Sequence, residues 1–277
     1  MRLQLMNDSP VDLSVIMATY NHERTIAEAI ESVLNQETEF SIRLHVLNDS
    51  STDNTAHILR EYAEQYPERI KVYTSPENLG SGKANFYYHK PNTNSDYWTL
   101  LAGDDYWLDK QKIQKQLTLL NENKNYIGCS CNTLVNDEVN QTKSVIEPYM
   151  DEWNLYDMIN YESLYPFYVH PSGIVWRNIY RDTSSFLPPK FRIPEAKGDV
   201  MLFHIMLSAG MKIRHLRETL SCYRVTGEGV WSKLSKEEQT RINNNLADML
   251  FSLWPLKYKL YAYLIKIRRW YKRNYVR

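Results

Sequence analysis

Leu13–Asn48 reads LSVIMATYNHERTIAEAIESVLNQETEFSIRLHVLN: an apolar run, a polar break, a stretch with apolar residues three and four apart, and a second apolar run. LSVIMA (Leu13–Ala18) and IRLHVLN (Ile42–Asn48) are short and apolar and predict strands, while TIAEAIESVLNQ (Thr25–Gln36) puts Ile26, Ala29, Ile30 and Val33 on one face of a helix. The alternation continues outward. TDNTAHILREYAEQY (Thr52–Tyr66) predicts a second helix with Ser51 or Thr52 as its cap. IKVYT (Ile70–Thr74), YWTLLA (Tyr97–Ala102) and YIGCSCN (Tyr126–Asn132) predict further strands. Strands recurring every ~30 residues leave room for a crossover helix between them. The expected fold class is α/β, a mostly parallel sheet with helices on both faces, in which ligands bind beyond the carboxyl ends of the strands.

That rule gathers Thr19, Tyr20 and Asn21 after the first strand, Asp49 and Ser50 after the second, and Gly103, Asp104 and Asp105 after the fourth into one crevice. In YWTLLAGDDYW (Tyr97–Trp107) a hydrophobic run ends at two adjacent carboxylates. Gly and Asp are also ordinary turn residues, so the convergence of several polar strand ends, rather than the pair alone, marks a site. Neighbouring side chains on an extended strand point to opposite faces, so both acids can serve one ligand only if Gly103 starts a turn. After about residue 135 the alternation fades. PYMDEWNLYDMINYESLYPFYVHPSGIVWR (Pro148–Arg177) reads as helix, loop and strand crowded with aromatics, suited to recognising a second substrate.

The 277 residues suffice for one large α/β domain with an appendage, and 43% hydrophobic with 24% charged residues excludes a disordered or fibrous chain. Twenty-one Tyr and seven Trp exceed what a core needs and suit surfaces that handle sugars or a membrane interface. Cys129, Cys131 and Cys222 form no metal-ligand spacing and point to a reducing cytoplasm. The first ten residues, MRLQLMNDSP, lack the apolar core of an export signal, and LYAYLI (Leu260–Ile265) is far short of a membrane span. The net charge of zero hides an asymmetry: residues 257–277 hold eight Lys or Arg and no acid, leaving a body of about −8 against a tail of +8. The cations alternate with Leu, Ile, Tyr and Trp, and on a helix Leu260, Leu264, Ile267, Tyr271 and Tyr275 form a stripe. The expected partner of 256–277 is therefore a membrane surface rather than nucleic acid, with packing onto the acidic body as the competing arrangement.

Four motifs in order, SVIMATYNHERTIAEAIESVLNQ, VLNDSSTDNT, ENLGSGKAN and LLAGDDYW, resemble the N-terminal half of the inverting nucleotide-sugar glycosyltransferases of family two, with the GT-A fold. A looser likeness in HPSGIVWR, GDVMLFHIMLSAGMKIRHL and CYRVTGEGVWS extends it over roughly residues 11–232. The resemblance implies a domain at 1–232, with a nucleotide-sugar half at about 11–135 and an acceptor half at about 136–232; residues 233–277 match nothing general in the family and are expected to form a helical extension that associates with a membrane. It implies that Tyr20 and Asp49 line the nucleobase and ribose pocket, framed by Ala18, Thr19 and Asn21, and that Lys83 reaches the diphosphate. Asp199, at the head of an apolar helix, stands where the family has its general base, with Glu195 in reserve; an N-cap is the plainer role for Asp199. Arg224 would be a counter-charge to the diphosphate in a flexible closing segment, Trp231 a sugar or acceptor platform, and His170 an acceptor-side contact.

Residue chemistry supports this. Two carboxylates would repel a nucleotide diphosphate unless a divalent cation, Mn or Mg, bridges them, which gives Asp104 and Asp105 a task, Asp104 foremost. Two departures stand out: Ala102 where the acid-any-acid motif has its first acid, and Asn85–Phe86 where the pattern has Arg then Asn. The expected activity is inverting, hexosyl-type transfer from a UDP-linked donor to a glycan or lipid-linked glycan acceptor, in capsule or lipopolysaccharide synthesis, by a cytoplasmic protein peripheral on the inner face of the cell membrane. The alternative is a non-catalytic nucleotide-sugar-binding partner. A nucleotide-dependent oxidoreductase is disfavoured because MATYNHE stands where a G-x-G-x-x-G would follow the first strand.

Overall fold

The computed structural model describes residues 11–80, 94–161, 167–179, 181, 198–227, 234–242 and 254–275. Its sheet begins with β1 (Val11–Thr19), β2 (Ile42–Asn48), β3 (Ile70–Thr74) and β4 (Ser95–Ala102), all parallel in the order β3-β2-β1-β4. Helices α1 (Ile26–Leu34) and α2 (Thr55–Gln65) make the first crossovers. The short β5 (Tyr106–Trp107), α3 (Lys112–Glu122) and β6 (Tyr126–Asp137) follow, then β7 (Thr142–Ile146), β8 (Glu152–Trp153) and α4 (Leu155–Tyr161). A 3-10 turn, Pro171–Gly173, leads into β9 (Ile174–Arg177), which inserts antiparallel between β4 and β6. Helix α5 (Gly198–Leu207), the 14-residue β10 (Lys212–Val225), parallel to β6, and α6 (Leu256–Tyr275) complete the order.

Period-two alternation divides the apolar runs between two cores, so strands buried on both faces read as continuous hydrophobic stretches. Leu13, Val15, Met17 and Leu101 pack with Ile26, Ile30 and Val33 of α1 and Ile113, Leu117 and Leu120 of α3. Ile16, Trp98, Ile127, Ile174 and Trp176 point the other way, against Leu202, Phe203 and Met206 of α5 and Met158 of α4. Trp98 and Trp176 are register partners across β4 and β9, with ring centroids 6.0 Å apart.

Two expectations need correction. Neither Ser51 nor Thr52 caps α2: Asp53 Oδ1 accepts the Thr55 N–H at 3.0 Å, and Ser51 Oγ accepts the Asn21 N–H at 3.0 Å. The polar run between β2 and α2 therefore ties two loops together. The C-terminal helix is also not free of the domain. Tyr258, Ala262 and Ile265, spaced four and three apart on α6, are buried, the first two within the second core. The Tyr258 ring lies 4.6 Å from that of Tyr156, and Trp254 Nε1 donates to His204 Nδ1 at 3.1 Å. The opposite face of α6 leaves Leu256, Leu260, Tyr263, Leu264 and Ile267 46–70% exposed. Among the described residues, no helix is long and apolar enough to cross a membrane.

Candidate active site

The carboxyl ends of β1, β2 and β4 are joined by their backbones. The Asp49 N–H donates to Thr19 O and the Gly103 N–H to Ala18 O, each at 2.9 Å. The loop after β1 is pinned in turn: the His22 N–H donates to Thr55 Oγ1 at 2.9 Å, and Thr25 Oγ1 donates to Gly103 O at 3.0 Å. Asn21 takes a left-handed conformation, φ 55°, and its Oδ1 accepts the Thr52 N–H at 2.8 Å. Tyr20, beside it, presents an exposed ring at the rim. The strand ends that carry Ala18, Thr19, Tyr20, Asn21, Asp49, Asp104 and Asp105 thus lie side by side.

Asp49 is buried, and its two oxygens accept the N–H groups of Leu79 and Gly80 at 2.9 and 3.0 Å. A carboxylate so held shapes the loop entering residues 81–93, and only its remaining lone pairs face a ligand. Lys83, Asn85, Glu195 and Trp231 lie outside the described residues.

Gly103 starts a turn, closed by the Asp105 N–H donating to Ala102 O at 3.1 Å, and the turn parts the two acids. Gly103 admits no side chain: a Cβ there would lie 2.7 Å from both His22 Nδ1 and Thr19 Oγ1. The Asp104 side chain stays 21% exposed, with His22 Nε2 3.8 Å from its Oδ2. Asp105, expected beside Asp104 on a metal, turns inward and is 2% exposed, packed under the turn. Its Oδ1 accepts the Arg224 N–H at 3.1 Å, and His170 Nδ1 lies 3.7 Å from its Oδ2. Burial, and then the charge of Asp104, push the Asp105 carboxyl well above the usual range, against the Arg224 N–H and guanidinium.

Arg224 and His170 also take places other than those expected. Arg224 belongs to β10, and its guanidinium is engaged within the protein: Nε donates to Asp104 O at 3.0 Å, Nη1 to Glu138 at 3.0 Å and Nη2 to Glu28. Two carboxylates offset its charge, so it clamps the acid turn instead of standing free for a diphosphate. His170 stacks on Tyr223 with centroids 4.3 Å apart, bonds Ser172 Oγ through Nδ1 at 2.7 Å, and is pushed down to about 3 by burial. It is a neutral support under Asp105 rather than an exposed acceptor contact.

Asp199 lies in the first turn of α5, where the helix dipole favours its ionised form. Burial raises the Tyr168 hydroxyl, with the charges of Asp199, Tyr223 and Asp105 adding to the shift. Tyr223 is raised by burial, then by Asp105, Asp104, Asp137 and Asp199. The charges of Asp105 and Asp199 thus both act on these two tyrosines. Neither tyrosine, nor His22, was singled out from the sequence, although His22 sits in the same MATYNHE run and Tyr223 precedes Arg224.

The donor set fits Mn or Mg. Such ions take one or two carboxylates and complete their shell with water and substrate phosphates, and Asp104 presents an open carboxylate of that kind. Among the described residues, no three His, Cys, Asp or Glu side chains converge into a closed cage.

Residues 14–183 match the family model for Glycosyl transferase family 2. An uncharacterized protein of Mycobacterium tuberculosis is 29% identical over 221 residues, covering 79% of this chain and 60% of its own length. The minor teichoic acid biosynthesis protein GgaB of Bacillus subtilis is 38% identical over 117 residues, 42% of this chain and 13% of that one. The chain thus spans less than two thirds of these relatives' length. Among solved structures, Staphylococcus aureus TarS 1–349 in complex with UDP-GlcNAc superposes with a TM-score of 0.68 at 19% identity, over 90% of this chain and 69% of that one. At that identity the superposition speaks for the GT-A architecture alone, and the motif region carries the membership: the chain belongs to glycosyl transferase family 2.

Proposed function

We propose that this chain transfers a glycosyl group, with inversion, from a UDP-linked sugar to a hydroxyl of a glycan or lipid-linked glycan in the synthesis of a cell-surface polymer. The observation that carries this reading is the open Asp104 carboxylate at the backbone-joined ends of β1, β2 and β4, with the exposed Tyr20 ring at the rim. A bound Mn or Mg would offset the charge of the diphosphate and of the departing UDP. Asp104 would hold that ion, with Asp105 and Arg224 fixing the turn beneath it. The exposed ring of Tyr20 offers a face for the nucleobase, with Thr19, Asn21 and the loop held by Asp49 framing it. Asp199 would take the proton of the acceptor hydroxyl as it attacks the anomeric carbon. The donor likeness draws on TarS, whose structure holds UDP-GlcNAc, and the polymer on GgaB.

The same reading places the protein on the inner face of the cell membrane through α6, whose exposed apolar residues and cations suit an anionic bilayer that carries a lipid-linked acceptor. A panel of nucleotide sugars with Mn tests it by thermal shift and by slow donor hydrolysis, since a ligand bound only to the folded state raises the melting midpoint. One nucleotide sugar that both stabilises and is hydrolysed is the expected result. Stabilisation with no hydrolysis and no transfer to any glycan favours the non-catalytic partner, the reading that Ala102 supports.

A further inference from the structure

We propose that His22 is a ligand of the divalent cation at this site, its Nε2 sharing the ion with Asp104 Oδ2. This rests on the reading that the site takes a cation-bound nucleotide diphosphate. Four observations carry it. The two atoms lie 3.8 Å apart, too far for a good hydrogen bond and within the span of one ion that bonds both at about 2.1 Å. Both side chains are only partly exposed, at 25% and 21%, so they face each other at the floor of an open crevice.

The backbone that carries the imidazole is also held in place. The His22 N–H is fixed by Thr55 Oγ1 and its carbonyl accepts the N–H groups of Thr25 and Ile26, at 3.0 and 2.9 Å. Thr25 ties the same turn to Gly103 O, the residue before Asp104. Ligand and carboxylate thus sit on two loops stitched to each other, which is the preorganisation a metal site needs.

The far side of the ring supplies the last observation. His22 Nδ1 and Thr19 Oγ1 are buried with no hydrogen-bond partner, and both crowd the space over Gly103 where a Cβ would lie 2.7 Å from each. Thr19 is 2% exposed. A buried imidazole nitrogen and a buried hydroxyl left without partners are costly. Metallation of Nε2 leaves the proton on Nδ1, on the side of the ring where the unpartnered Thr19 hydroxyl also lies, and a ligating histidine uses such an acceptor to fix its ring.

An imidazole nitrogen beside a carboxylate oxygen changes which ions the site prefers. Mg binds oxygen donors and gains little from a nitrogen, whereas Mn and the later divalent metals gain from it. The inference is therefore a selectivity: the nucleotide complex binds Mn ahead of Mg because of His22.

The test is pulsed electron paramagnetic resonance of Mn bound to the full chain with UDP, in protein grown with ordinary and with 15N-labelled histidine. The expected result is a nitrogen modulation that changes from the 14N to the 15N pattern on labelling, and that His22→Ala and His22→Gln both abolish. Loss of the free-Mn signal on titration should show Mn affinity falling about tenfold or more in either variant, while Mg competition shifts little. Bound Mn without histidine nitrogen coupling overturns the ligand and leaves the proposed function standing. No Mn binding with UDP overturns both. Coupling that persists in His22→Ala assigns the nitrogen to another histidine and also overturns it.

Discussion

Arg224 holds the acid turn twice, its N–H on Asp105 Oδ1 at 3.1 Å and its Nε on Asp104 O at 3.0 Å. One strand residue thereby fixes a buried carboxylate through its own N–H and, through its side chain, the backbone carbonyl of the neighbouring residue, whose carboxylate stays open. Glu28 and Glu138 complete the clamp, so α1, the β6–β7 turn and β10 meet at the acid turn.

Arg224→Ala removes the guanidinium and keeps the N–H. Stability should fall by about 1 kcal/mol, the scale for losing ion pairs whose acid partners are partly exposed, and nucleotide binding should weaken along with it. Arg224→Lys restores charge but not the three-way hydrogen bonding and should recover only part of the loss. Chemical denaturation and UDP calorimetry measure the two effects.

Asp199→Asn should leave nucleotide binding nearly intact and lower turnover ~10²-fold or more, the usual scale for a general base. Asp199 lies inside the first turn of α5, where losing one charge costs at most about 1 kcal/mol, so the melting midpoint should move little. If turnover held, the base would be another residue, Glu195 first; if the protein unfolded, Asp199 would be a structural residue and no more.

Acid should destabilise the fold through His204 and His215, as well as through His170 beneath the acid turn. Burial pushes His204 down to about 3, and burial followed by the Arg217 charge pushes His215 down to about 4. Below the unfolded value near 6.5 the unfolded chain binds protons that the folded chain does not, so stability falls as pH drops from about 6.5 toward 4. His215, held by Ser130 Oγ at 2.8 Å and Asn132 Oδ1 at 2.7 Å, is the sharper test. His215→Gln should flatten the slope of melting midpoint against pH in that window, whatever it does to the midpoint at pH 7.

The two faces of α6 should separate. Leu260→Glu with Leu264→Glu leaves Tyr258 and Ala262 in the core, so the protein should stay folded yet lose co-sedimentation with anionic vesicles. The cations contribute ~1 kcal/mol each near such a surface, and salt should weaken wild-type binding accordingly. Ending the chain at Trp254 removes Tyr258 from the second core and should destabilise it. Equal pelleting of wild type and the double variant contradicts the membrane role.

Ile42–Asn48, almost wholly buried between its neighbours, and Ile70–Thr74, rich in β-branched and aromatic residues, were legible as strands, and the strands' carboxyl ends named the crevice. What escaped was the partnership of side chains distant in sequence. Nothing local in CYRV reveals that Arg224 will meet Glu28, 196 residues away, and leave no free charge for a ligand. Adjacent acids cannot be ranked until the turn at Gly103 sends one outward and one inward. In α6 the apolar stripe was legible, but a helix bearing Tyr258, Ala262 and Ile265 on its other side has two candidate faces, and only packing decides which is covered.

The central claim is that Asp104 carries the cation that lets the crevice accept a nucleotide diphosphate. Calorimetry of UDP with and without Mn, on wild type and Asp104→Asn, tests it directly. Wild-type affinity should rise about tenfold or more on adding Mn, the effect of a cation offsetting adjacent phosphate and carboxylate charges, while Asp104→Asn should bind UDP with the same low affinity in both conditions. A variant that keeps the full Mn-dependent gain would contradict the account.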